Sequence, residues 1–124
     1  MLAAQYRMRR SADFSAAVRS GRRVGGRLIV VHQQWADVRS AQPRIDGGSG
    51  AEPLVGLVVS KGVGGSVIRH RVARRLRAQV AARIQALPPS SSTVVRALPA
   101  AAGASSAELG HELDRALHRL RRPS

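Results

Sequence analysis

Between Pro53 and Leu98 the chain lays out a strand, a glycine turn, a helix and a second strand in an order that leaves few folds open. PLVGLVVS, residues 53–60, is a short apolar run that predicts a buried strand. Gly62, Gly64 and Gly65 supply a tight reversal. Ile68, Val72, Leu76, Val80 and Ile84 then recur every four residues, which predicts a helix over about 67–86 with Ser66 as its cap. Pro88 and Pro89 end it, and TVVRAL at 93–98 predicts the second strand. A helix of this length between two short strands predicts a parallel pair joined by a crossover helix, hence an α+β sandwich with helices on a small sheet.

The flanking segments fit the same plan. Ser11 is suited to cap a short helix over about 12–19, with Phe14, Ala17 and Val18 on one face and Gly21 as its stop. RLIVVHQQ predicts a strand from near Val24 to about Trp35, with room for an extra strand split out of 23–38. Residues 39–52 carry turn formers without periodicity and read as a long flexible loop. Ser105 and Glu108 fit a capping box ahead of a last helix whose stripe is Leu109, Leu113, Ala116, Leu117 and Leu120. At 124 residues the expectation is one domain over 1–124.

The helix after the glycine turn carries an electrostatic anomaly. Arg69, Arg71, Arg74, Arg75 and Arg77 crowd nine residues, several of them near the helix N-terminus, where the macrodipole disfavours cations. No Asp or Glu occurs from 61 to 107, so no i,i+4 acid screens them. The whole chain has a net charge of +14, with 21 Lys+Arg against 7 Asp+Glu. Such unscreened charge points to a polyanion, and guanidinium forks match the phosphates of nucleic acid.

Several chemistries are excluded by the same reading. With no cysteine there is neither a disulfide framework nor a Cys-type zinc site. The glycine turn lacks the Lys-Ser/Thr pair of a P-loop and the third glycine of a dinucleotide fingerprint. It matches the GXXG pattern formally, a short motif of low specificity. His111 and His118 lie seven apart and read as surface residues, and the seven acids offer no pair spaced for acid–base work. No apolar run is long enough to span a membrane and the N-terminus lacks a secretory pattern, so a cytoplasmic location is the expectation.

These residues resemble the protein subunit of bacterial ribonuclease P. Its signature, K-x-V-G-x-A-V-x-R-N-R-x-x-R-x-x-R, is met here by Lys61, Val63, Gly64, Val67, Arg69, Arg71, Arg74 and Arg77, with Ser66 in place of the alanine and His70 in place of the asparagine. The stretch Gly56–Lys61 is similar to the family's G-x-x-V-S-K, and Arg9, Phe14, Val18, Gly21, Gly26, Arg27 and Leu28 follow its N-terminal pattern. The family's second lysine is Gly62, one basic position is Ala73, a cleft aromatic is Val18 and the strand tyrosine is His32.

The resemblance implies an α-β-β-β-α-β-α two-layer sandwich like domain 2 of ribosomal protein S5, with a left-handed βαβ crossover. It implies that Lys61, Arg69, His70, Arg71, Arg74, Arg75 and Arg77 bind the catalytic RNA, one protein to one RNA. It implies that Arg9, Phe14, Val18 and His32 line a cleft for the 5′ leader of precursor tRNA. No catalytic residue is expected on the protein, and Mg²⁺ is expected mainly on the RNA and substrate. The rival reading is a ribosomal-type structural RNA-binding protein with no catalysis attached.

Overall fold

The computed structural model describes residues 3–8, 17–19, 21–35 and 52–121. Strands β1 (Arg22–Gly25), β2 (Ile29–Trp35), β3 (Leu54–Val58) and β4 (Ser91–Ala97) form one sheet in the order β1-β2-β4-β3. Helix α1 (Ser66–Ala81) connects β3 to β4, and α2 (Ser106–Arg121) follows β4. The β1–β2 and β2–β4 pairs are antiparallel, while β3 and β4 run parallel, as a strand–helix–strand connection requires. Residues 17–19 are helical, so the described elements follow the expected α-β-β-β-α-β-α order. The Ser11 cap, Arg9, Phe14 and all but the last residue of the 39–52 loop lie outside the described residues.

Period-2 alternation sends the strand side chains to two faces. Ile29, Val31, Val55, Val95 and Ala97 meet α1 and α2 in the main core with Val72, Leu76, Leu109, Leu113 and Leu120. The opposite face carries a smaller cluster of Met8, Ala17 and Val94, against which Val18, Leu54 and Val58 pack. Met8 reaches it because the N-terminal segment runs beside β3, its N–H donating to the Val55 carbonyl at 2.8 Å.

The boundaries differ from the sequence reading in informative places. The expected 24–35 strand is a hairpin, turning after Gly25 and resuming at Ile29. Glu112 on α2 makes this turn: its carboxylate accepts hydrogen bonds from the backbone N–H groups of Arg27, Leu28 and Ile29 at 2.9–3.1 Å. Gly26 lies so close that an added Cβ would stand 2.9 Å from a Glu112 oxygen. The central helix stops at Ala81 rather than near 86, and Ile84–Ala86 continue as a single 3-10 turn with Ile84 still buried. Arg83 explains the stop, since it folds back to donate to the Gln79 carbonyl at 2.9 Å and so satisfies one of the terminal carbonyls. The N-cap is Gly65, not Ser66, and no side chain caps that end.

The last helix starts as the capping box predicts. Glu108 N–H donates to Ser105 Oγ at 3.1 Å and Ser105 N–H to Glu108 Oε1 at 2.9 Å, which holds the Glu108 carboxyl below the ordinary carboxylate range. At its far end, Arg22 of β1 donates to the Leu120 carbonyl at 2.6 Å, a cation on the negative end of the helix dipole. α1 and α2 meet at Gly110, where an added Cβ would displace the Gln79 and Arg83 side-chain ends that fasten the two helices together.

Glu112→Ala is expected to strip three backbone donors of their acceptor and to cost roughly 1–3 kcal/mol. Urea unfolding measures it, and an unchanged midpoint would mean the hairpin turn stands without the carboxylate.

Candidate nucleic-acid interface

The signature segment begins with a 3-10 turn at Lys61–Val63, which buries Val63 and leaves Lys61 exposed. Gly64 follows with φ 156°, and a Cβ on it would stand 2.9 Å from the Ile68 side chain. Only glycine suits that position. Gly65 has open space around it, and a Cβ on Gly62 would meet nothing nearer than Ser60 Oγ at 3.8 Å. The loss of the family's lysine at 62 is therefore not imposed by the turn.

On α1 the apolar stripe turns Val72, Leu76 and Val80 into the core. The arginines divide into two sets. Arg71 donates to the Ala102 carbonyl at 2.8 Å and Arg75 to the Ala104 carbonyl at 2.6 Å. One and two turns further on, Gln79 donates to Ser106 Oγ at 2.7 Å, and Arg83 grips Asp114 with Nε at 2.6 Å and Nη2 at 3.2 Å. Residues 71, 75, 79 and 83 thus form a polar seam along one edge of the helix, fastening it to the Pro99–Gly103 turn and to α2. The Arg83 fork also holds the Asp114 carboxyl below its ordinary range.

His70, Arg74 and Arg77, spaced i, i+4 and i+7, are exposed and share the outer face. Arg69 is half-buried. The Nε atoms of Arg69 and Arg71 are buried with no partner, an uncommon state for a guanidinium donor. Of the seven RNA-binding candidates, then, Lys61, His70, Arg74 and Arg77 stand in solvent, whereas Arg71 and Arg75 already serve the fold. Nothing in the four-residue periodicity distinguishes these roles, because the acceptors of Arg71 and Arg75 are backbone carbonyls about thirty residues away.

The second candidate region lies on the other face of the sheet. His32 is only 6% exposed. It pairs with Val94 on one side and Arg23 on the other. Val18 packs against the cluster that contains Val94, so the structure brings Val18 and His32 to one face. Burial, with smaller contributions from the charges of Arg96 and Arg23, holds the His32 pKa below its ordinary value, so the ring is neutral at pH 7. Its Nδ1 is buried without a partner. Arg23 and Arg96 are exposed on this same face and were not among the sequence candidates. Their signal was the alternation of β1 and β4, legible only once the strand register is known.

Among the described residues no three His, Asp or Glu side chains converge, so the donor set does not fit a divalent cation. No helix among them is long and apolar enough to cross a membrane.

Comparison with known proteins identifies the family and the fold. The ribonuclease P family model matches residues 2–121. The ribonuclease P protein component of Acidothermus cellulolyticus is 50% identical over 120 residues, covering 97% of this chain and 92% of that protein. That of Streptomyces bikiniensis is 49% identical over 120 residues, covering 97% and 95%. Among solved structures, the Staphylococcus aureus RNase P protein superposes with a TM-score of 0.75 at 21% identity over 94% of this chain and 95% of that one. The Thermotoga maritima protein gives 0.70 at 17% identity over 95% and 97%.

The two sets of arginines are separable by mutation. Arg74→Ala with Arg77→Ala is expected to leave the melting temperature unchanged, to weaken RNA binding and to flatten its salt dependence by about one unit of slope for each phosphate no longer neutralised. Arg71→Ala with Arg75→Ala is expected to lower the melting temperature. Thermal melts and filter-binding titrations at several salt concentrations check both.

Proposed function

The chain belongs to the ribonuclease P protein family, and from that premise we propose that it works as an RNA-docking and leader-binding subunit whose partner RNA carries the chemistry. The observation that carries the reading is the exposed row of His70, Arg74 and Arg77 on a helix whose neighbouring arginines are tied down. The helix is held in place, so docking on an RNA backbone orders the exposed side chains but not the helix that carries them. Guanidinium forks bind phosphate oxygens two at a time, which fixes orientation as well as adding affinity.

The opposite face supplies a site of different character. Arg23 and Arg96 provide charge beside a neutral, buried His32 and the apolar Val18, Leu54 and Val58. That mixture suits a single strand, whose phosphates seek the arginines and whose bases seek apolar surface. On this reading it receives the 5′ leader of precursor tRNA, together with Arg9 and Phe14, and favours precursor over mature tRNA. With His32 and Val18 in place of aromatics, recognition there depends on hydrogen bonding and packing more than on ring stacking.

The division of labour follows. The protein holds the RNA subunit on one side and the leader on the other, in a one-to-one cytoplasmic complex, and the Mg²⁺ ions that cleavage needs belong to the RNA and substrate. The cations contributed by the chain reduce the repulsion between two RNAs, which lowers the ionic strength and Mg²⁺ the assembly requires.

Reconstitution tests this. Purified protein added to a bacterial ribonuclease P RNA at low Mg²⁺ is expected to restore cleavage of a precursor tRNA at its mature 5′ end, and to bind precursor more tightly than mature tRNA. Cleavage no faster than with RNA alone would contradict the reading.

A further inference from the structure

The last helix has an outer face that no role so far accounts for. Its buried stripe of Leu109, Leu113, Ala116, Leu117 and Leu120 faces the core. His111, Arg115 and His118 stand on the opposite side, within an arc of about 60°, and all three are exposed. Their spacing of i, i+4 and i+7 is that of His70, Arg74 and Arg77 on α1. Both helices pack their apolar stripes into the main core on one face of the sheet. The two exposed rows therefore lie on the solvent side of a single helix layer, with the seam of Arg71, Arg75, Gln79 and Arg83 between the helices.

The stability of α2 does not call for this face. His118 and Arg119 are in the last turn, where a basic side chain complements the helix dipole. His111 and Arg115 are in the middle of the helix, beyond the reach of that effect. An ordinary solvated face would set the helix's own acids against them at i+3 or i+4. The acids are there, but each is drawn to a flank. Glu108, three residues before His111, closes the capping box and lies 3.7 Å from Arg27. Glu112, three before Arg115, gives both carboxylate oxygens to the backbone N–H groups of the hairpin turn. Asp114 is held toward α1 by the Arg83 fork. What α2 turns outward is a guanidinium between two imidazoles, groups whose N–H donors suit phosphate oxygens.

We propose that His111, Arg115 and His118 form a second RNA-docking row, which takes the backbone of the same RNA that α1 holds. Position selects that RNA over the leader, because this row shares the helix side of the sheet with α1, whereas His32, Arg23 and Arg96 are on the other side. Packed helices lie about 8–10 Å apart, so one RNA surface touches both rows. A single row would leave the RNA free to rock about the axis of α1, and a second row on the same rigid layer removes that freedom. The inference rests on the RNA-docking reading above and extends it from one helix to two.

The chain has no cysteine, so one introduced thiol places a probe at a single position. Ala107→Cys puts it on the outer face of α2 and Ala78→Cys on that of α1, both alanines being exposed. Each thiol carries an iron chelate that generates hydroxyl radicals, and the full-length protein is bound to a bacterial ribonuclease P RNA with precursor tRNA. Cleavage of the ribonuclease P RNA at discrete sites is expected from both positions, at different nucleotides from each. Arg115→Glu is expected to weaken binding of that RNA about tenfold at about 0.15 M salt, where exposed charges more than about 8 Å apart are largely screened. The preference for precursor over mature tRNA is expected to persist in that variant. Cleavage from position 78 with none from 107, cleavage from 107 that falls on the tRNA instead, or an Arg115→Glu variant that binds as tightly as the unaltered chain would each overturn the assignment and leave the proposed function standing. If the unaltered chain does not bind the ribonuclease P RNA at all, the docking reading falls and this inference with it.

Discussion

The seam of hydrogen bonds along one edge of α1 sets what the rest of the molecule presents. Arg71, Arg75, Gln79 and Arg83 recur one turn apart and each finds a partner between Ala102 and Asp114, or at the end of α1 itself. Together with the stripe of Val72, Leu76 and Val80, they fix the rotation of the helix about its own axis. Burial alone would tolerate a small roll. Directional bonds from guanidinium groups to carbonyls and a carboxylate do not. Because the roll is fixed, His70, Arg74 and Arg77 have no option but to face outward. The exposed cationic face is in this sense a by-product of how α1 is tied to the C-terminal part of the chain.

That arrangement has an electrostatic cost. The first turn of α1 has no acid to complement the helix dipole and no side-chain cap, and two arginine Nε atoms are buried without acceptors. At α2 the opposite holds. Glu108 sits in the first turn, and His118, Arg119 and Arg121 in the last, each sign at the end where the dipole favours it. One helix thus carries its charges where its dipole favours them, and the other carries an uncompensated positive charge, which the phosphates of the RNA partner proposed above would relieve.

Much of this was legible in the sequence, and the reasons for the misses are specific. The four-residue stripe, the capping box and the apolar 54–58 run depend on neighbours within a few residues, so pattern reading finds them. The Gly25-Gly26 pair was a turn signal inside an otherwise strand-like run, but the carboxylate that fixes the turn comes from Glu112, some eighty-five residues on. The division of the arginines has the same origin, since their acceptors are backbone carbonyls that no side-chain pattern reveals. Arg23 and Arg96 gain meaning only from strand register, which places them on the face of His32. The signature segment supplied seven candidate residues, but no pattern in it could show that Arg71 and Arg75 hold the fold.

The central claim is that α1 carries arginines of two kinds, and side-chain reactivity tests it most directly. Arginine-selective dicarbonyl labelling, read by mass spectrometry, is applied to the free protein and to its complex with ribonuclease P RNA. The account predicts fast labelling of Arg74 and Arg77 in the free protein and strong protection once RNA binds, with Arg71, Arg75 and Arg83 slow in both states. Labelling of Arg71 and Arg75 as fast as Arg74 in the free protein, or no protection of Arg74 and Arg77 by the RNA, would contradict it.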